Sequence, residues 1–149
     1  MAAFDVTSTA LYEDLAHHMN HQTDHFRILG DADMTVVFTI KAPAKTVNVQ
    51  LVFSELTCDG VALVGEDEAH LCDFRLEGNL DAWNEMFDDI AANGSASGGL
   101  TINSLALRGD RISLEGDDPM GLDKFSRFNQ TLQDFLDGAG RLDLIRSKS

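Results

Sequence analysis

Two runs split by a proline constrain this chain more than any other feature. MTVVFTIK, residues 34–41, and TVNVQLVFSEL, residues 46–56, both repeat with a period of two. Val36, Phe38 and Ile40 alternate with Thr35, Val37 and Thr39; Val47, Val49, Leu51 and Phe53 share one face of the second run. Such alternation belongs to strands with one face on a core. Pro43 suits the turn between them better than a strand interior, so the pair reads as a hairpin. GVALV, residues 60–64, reads as a third strand. The alternation of AHLCDFRLE, residues 69–77, predicts a fourth, with His70, Cys72, Phe74 and Leu76 on its apolar face.

Around these strands the period changes to that of a helix. Residues 8–19 read as one, capped by Ser8 or Thr9, with Leu11, Leu15 and Met19 as its stripe. A second, capped by Asn79 or Asp81 after Gly78, runs to about Ala92 with Trp83, Met86, Phe87 and Ile90 on one face. NGSASGG, residues 93–99, is a low-complexity loop. LTINSLALRGDRISLEG reads as further strand turning at Gly109-Asp110. A last helix spans about Gly121 to Leu136, with Leu122, Phe125, Phe128, Leu132, Phe135 and Leu136 inward, and Gly138 ends it. The order predicts an α+β domain: a curved, mainly antiparallel sheet of about five strands with helices packed on one side.

At 149 residues the chain suits one domain. A net charge of −14 repels nucleic-acid phosphates and anionic lipid heads, so neither nucleic acid nor stable membrane insertion is expected. No apolar run approaches the roughly 20 residues of a membrane helix, and the N-terminus does not read as a secretory signal, which predicts a cytoplasmic protein. Cys58 and Cys72 form no zinc-type spacing and read as apolar fillers.

Four of the five histidines lie in HHMNHQTDHF, residues 17–26. On a continuous helix His17, His21 and His25 form a stripe beside Asp14. At a rise of about 1.5 Å per residue, His17 and His25 are about 12 Å apart, too far to share a metal. A solvated polar flank is the expectation, with no metal and no cofactor. Protonating all five histidines would take the net charge from −14 to −9 (−14 + 5). His70 stands apart on an apolar strand face, either as a satisfied buried histidine or as a polar anchor for a ligand. No nucleophile motif and no phosphate-cradling loop is present.

AHLCDFRLEGNLDAWNEMF, residues 69–87, and GDRISLEGDDPMGLDKF, residues 109–125, together resemble the sterol carrier protein 2 (SCP2-like) lipid-binding family. Members carry a comparable strand–helix segment, then a G-x-(apolar)-x-(apolar)-x-G-(Asp/Asn) strand leading into a final helix. The likeness covers roughly residues 34–137, after an N-terminal helix at about 8–20 and before a flexible tail over 138–149. NGSASGG plus LTINSLAL is an elaboration of that pattern, and the terminus Ser147-Lys148-Ser149 lacks the leucine of a peroxisomal signal. The resemblance implies an apolar tunnel between sheet and helices that takes up a sterol, fatty acid or fatty acyl-CoA. By position it matches Trp83, Met86, Phe87 and Ile90 to the family's middle helix and Leu122, Phe125, Phe128 and Leu132 to its last; with Phe38, Phe53, His70 and Phe74 of the strands these are the expected ligand contacts. An enzyme using His70 on a hydrophobic substrate, or an accessory subunit holding a partner enzyme, are the alternatives.

Overall fold

The first hairpin is the centre of the sheet. In the computed structural model, which describes residues 6–96, 98–116 and 118–140, β1 (Met34–Lys41) pairs antiparallel with β2 (Thr46–Ser54), from Met34 opposite Phe53 to Lys41 opposite Thr46. Pro43 lies in the turn, closed by the Ala42 N–H donating to the Lys45 carbonyl at 3.0 Å. β3 (Thr57–Val64) pairs antiparallel with β2 and begins three residues before GVALV. β4 (Phe74–Asn79) lies parallel on the other side of β1, and β5 (Ile112–Glu115) closes that side antiparallel to β4. Among the described residues the strand order is β3-β2-β1-β4-β5, with one parallel pairing.

That parallel pairing explains the first correction. To reach β4 from the edge strand β3, the chain must cross over β2 and β1. Residues 65–73 make the crossing, so 69–73 are not strand: α3 (Glu66–Ala69) is followed by His70 as its C-cap, and β4 starts at Phe74. It then runs through Gly78 to Asn79 rather than ending at Gly78.

α1 (Thr9–Asn20) is capped by the Ser8 side chain, which accepts the Ala10 N–H at 3.1 Å. Its helix stops at His21, and a new one, α2 (Thr23–Leu29), carries His25 and Phe26, so the three-histidine stripe does not exist as one surface. α4 (Leu80–Asn93) buries Trp83, Met86, Phe87 and Ile90 as the spacing predicts. Residues 102–108, read as strand, form α5 (Ile102–Arg108) after a short 3₁₀ turn at Gly98–Leu100. Thr101 caps it through the Ser104 N–H, and Ile102 and Leu105 are buried one turn apart while Leu107 is exposed. α6 (Pro119–Asp137) begins at an Asp118 cap. Packing continues past its end: Ala139 is fully buried, and a Cβ on Gly138 would sit 2.9 Å from His18 Cδ2. The tail expected to be flexible from 138 is therefore anchored over its first residues; 141–149, Ser97 and Asp117 lie outside the described residues. Among those described, no helix is long and apolar enough to cross a membrane.

One face of the sheet carries Val36, Phe38, Ile40, Val47, Val49, Leu51, Phe53, Phe74 and Leu76, all buried in a core shared with α1, α4 and α6. The other carries Val37, Thr39 and Asn48, beneath the crossing segment. There Thr39 Oγ1 donates to Asn48 Oδ1 at 2.7 Å, and Asn48 Nδ2 donates to Glu66 Oε1 at 3.2 Å.

The start of α6 is seated on the end of the crossing. A Cβ on Gly121 would lie 2.2 Å from the Asp73 carbonyl oxygen, backbone that cannot swing aside. Gly121→Ala should therefore cost about 2 kcal/mol despite alanine's better helix propensity. Urea unfolding measures this, and an unchanged or raised midpoint would contradict the seating.

Candidate ligand-binding layer and its polar cleft

The apolar residues singled out in the sequence meet between the inner sheet face and the helices. Trp83 on α4 lies on Phe38, ring centroids 4.9 Å apart, and donates its indole N–H to the Thr39 carbonyl at 3.2 Å. Phe74 meets Phe125 of α6 edge to face at 5.4 Å. Phe53 meets Phe135 in the same way at 5.1 Å. Met86, Phe87, Ile90 and Leu132 are fully buried in the same cluster. Leu122 and Phe128 are only partly buried, at the edge of α6.

His70 does not join them. It is exposed beyond α3, on the opposite side of the sheet. The apparent strand alternation that aimed it inward belongs to the crossing segment, where α3 and a bend replace the pleat. Neither the buried histidine nor the polar anchor exists.

Tyr12 was missed. It sits in the layer with its ring 5.9 Å from Phe38 and 6.4 Å from Phe87, and its hydroxyl donates to the Val6 carbonyl at 2.7 Å. Its spacing to Leu15 and Met19, i+3 and i+7, is the signal that could have found it. Gln133 was missed because nothing in sequence marks a buried glutamine. Its Oε1 accepts the Ile102 N–H at 2.6 Å and its Nε2 donates to Asp137 Oδ1 at 2.8 Å, fixing α5 to α6.

Neither cysteine forms a disulfide, and the Cys72 thiol donates to the Ala69 carbonyl at 3.3 Å. Burial pushes the Cys58 thiol up to about 12, so it stays a protonated filler at any ordinary pH.

At the far end of the layer four helix ends converge around a cleft of ≈ 220 Å³, lined by His18, Gln22, His25, Phe26, Gly94, Asp134, Asp137 and Gly138. His25 Nε2 lies 2.7 Å from Asp134 Oδ2, joining α2 to α6. Asp134 Oδ1 accepts from Gln130 Nε2 at 2.8 Å. Asp137 Oδ1 accepts the Ala96 N–H at 3.0 Å as well as Gln133, which ties the loop after α4 to α6. His17 and His21 lie ring against ring at 4.3 Å, and the His17 carbonyl is 2.8 Å from His21 Nδ1. Among the described residues no group of three or more His, Cys, Asp or Glu could hold a metal.

Burial raises the Asp137 carboxyl above its usual range; the bonds from Ala96 and Gln133 pull the other way, and Asp134 and Asp89 add to the rise. A carboxyl raised on folding binds more protons in the folded chain, so stability declines as pH rises from the ordinary carboxylate value through the folded one. Asp137→Asn removes that decline while keeping an oxygen for the Ala96 N–H. At pH 7 the variant should unfold at a denaturant concentration no lower than the parent's, and any lead should vanish toward pH 3. A variant weaker at pH 7 than at pH 3, relative to the parent, would contradict this sign.

No family model matches the sequence, and no curated protein is significantly similar to it. Solved structures are similar in shape. A crystal structure of sterol carrier protein 2 superposes with a TM-score of 0.69 at 18% identity, covering 91% of this chain and 98% of that one. The solution structure of the conserved hypothetical protein TT1886 from Thermus thermophilus, described as possibly a sterol carrier protein, does so with a TM-score of 0.64 at 17% identity, covering 93% and 92%. These superpositions over most of both chains show that this chain has the sterol carrier protein 2 fold.

Proposed function

We propose that this chain binds and carries a hydrophobic small molecule between the inner face of its sheet and helices α1, α4 and α6. The observation that supports this is the continuous apolar layer itself, set within a fold shared with a sterol carrier protein. The ligand-contacting residues in this reading are Phe38, Phe53, Phe74, Trp83, Met86, Phe87, Ile90, Leu122, Phe125, Phe128 and Leu132, with His70 withdrawn. Sterol, fatty acid and fatty acyl-CoA types share the apolar body that such a layer accepts.

The layer's rings touch one another, so uptake requires side chains to part. The edge of α6 is the place for this. Leu122 and Phe128 are already partly exposed there, and Met120 is 77% exposed. Burying each CH₂ gains about 0.8 kcal/mol, so a sixteen-carbon chain gains about 13 kcal/mol. Micromolar binding needs about 8 kcal/mol, which leaves roughly 5 kcal/mol to offset association and opening. The enzymatic alternative depended on His70 inside the layer, and nothing in the structure favours it.

Native mass spectrometry of the bacterially expressed chain should show a co-purified apolar adduct. A fluorescent sterol or acyl-chain probe should bind and be displaced by unlabelled lipid. Phe128→Ala should shift probe affinity several-fold at a stability cost of about 1 kcal/mol, since the side chain is only partly buried. No adduct together with no probe binding would sink the proposal.

A further inference from the structure

The cleft between α1, α2 and α6 has an apolar floor and an acidic rim. Its floor is Phe26, 3% exposed and part of the same continuous core as Phe53 and Phe135. Its rim carries Asp134 and Asp137, one helical turn apart on α6, with His18 and His25 facing them from α1 and α2. Among the described residues no lysine or arginine lines it.

The two carboxylates differ. Asp134 is already engaged at both oxygens, by His25 and by Gln130. Asp137 receives both of its donors on Oδ1, and its Oδ2 has no bonding partner among the described residues. Partial burial leaves that carboxyl short of compensating positive charge, and Asp134 and Asp89 worsen the deficit. A cation brought against Oδ2 corrects it, and an anion aggravates it. The field of the whole chain, at a net charge of −14, acts in the same direction. A cleft of ≈ 220 Å³ holds roughly seven water-sized groups, enough for an ammonium head and the first methylenes behind it.

We propose that this cleft seats the head of the carried molecule and selects an amphiphile with a primary ammonium head over one ending in a carboxylate or phosphate. The inference rests on the carrier reading and refines it. Asp137 accepts the ammonium, Phe26 borders the first methylenes, and the chain continues into the apolar layer. Of the ligand types that share the body, fatty acids and acyl-CoA carry the disfavoured charge.

Dodecylamine, dodecanol and dodecanoate have the same tail with three heads. Each is titrated below its micelle concentration at pH 7 against the bound fluorescent probe. The amine should bind roughly tenfold tighter than the alcohol, as one charge-assisted contact provides, and dodecanoate should bind weakest. Asp137→Asn should cut the amine's lead over the alcohol to under about twofold. Asp67→Asn on exposed α3 makes the same change of net charge and should preserve the lead. Equal effects of the two variants would overturn the seat in favour of general attraction to an acidic protein. So would a carboxylate binding as tightly as the amine. If the alcohol binds and the amine has no lead, the head-group inference falls while the carrier reading stands. If none of the three displaces the bound probe, the head-group inference falls, while the carrier reading is decided by the probe's own binding.

Discussion

The arrangement depends on Asp73. Its carboxylate Oδ2 accepts the Thr35 N–H at 2.8 Å, its own N–H donates to the Thr35 carbonyl at 2.8 Å, and Lys124 of α6 lies 3.3 Å from the same oxygen. Gly121 sits against its carbonyl with no room for a side chain. One residue therefore ends the crossing, sets β4 beside β1, and seats the start of α6. The parallel register, Val36 opposite Phe74 through Lys41 opposite Asn79, follows directly from that knot. With Phe74 fixed there, Phe125 on the next turn of α6 falls onto it. The ion pair itself is part-exposed and contributes little alone; the two backbone-directed bonds and the close packing carry the constraint.

The crossing also sets the chemistry of the two faces of the sheet. Because residues 65–73 pass over the outer face, Thr39 and Asn48 are buried there and must bond to each other and to Glu66. From Glu66 a chain of charges, Arg75, Glu77 and Lys41, leads outward to solvent. A polar face of this kind holds the crossing down but offers no apolar body a place. On the inner side the buried polar groups of the aromatic layer are answered by backbone: the Trp83 indole reaches the Thr39 carbonyl and the Tyr12 hydroxyl the Val6 carbonyl. The chemical contrast between two faces of one strand, Phe38 inward and Thr39 outward, leaves one side of the sheet apolar and the other polar.

Most of the inner layer was legible in the sequence because period-two and period-3.6 patterns report which side chains share a face. Val36, Phe38 and Ile40, or Trp83, Met86, Phe87 and Ile90, could hardly be placed otherwise. The errors came where a pattern was short. His70, Cys72, Phe74 and Leu76 alternate by chance across the end of a crossing, and only the topology shows that the first two are outside the strand. Likewise Leu105 and Leu107 mimic a strand face, but Thr101 as a cap and Gly109 at φ 72 bound a two-turn helix. Gln133 and Asp137 were illegible for another reason. Their roles are bonds to the backbone of Ile102 and Ala96, which lie 31 and 41 residues away in sequence.

The histidine-rich stretch shows how a local break redistributes chemistry. A helix unbroken through residues 17–26 would have stacked His17, His21 and His25 along one solvent-facing stripe with no neighbour to answer it. The chain instead ends α1 at Asn20 and restarts at Thr23. That turn leaves His21 at the C-cap beside the His17 carbonyl, where the helix dipole favours it. It swings His25 across to Asp134 and drops Phe26 into the core. His18 stays on α1 against Gly138, which has no side chain to push it away. The cleft is the space these departures leave among the ends of α1, α2, α4 and α6, so it owes its polar rim to the same two-residue break that puts an aromatic ring beneath it. Restoring helix continuity at His21 and Gln22 would therefore remove the rim and the floor together, which couples any head-group selection to the packing of the core rather than to the surface histidines alone.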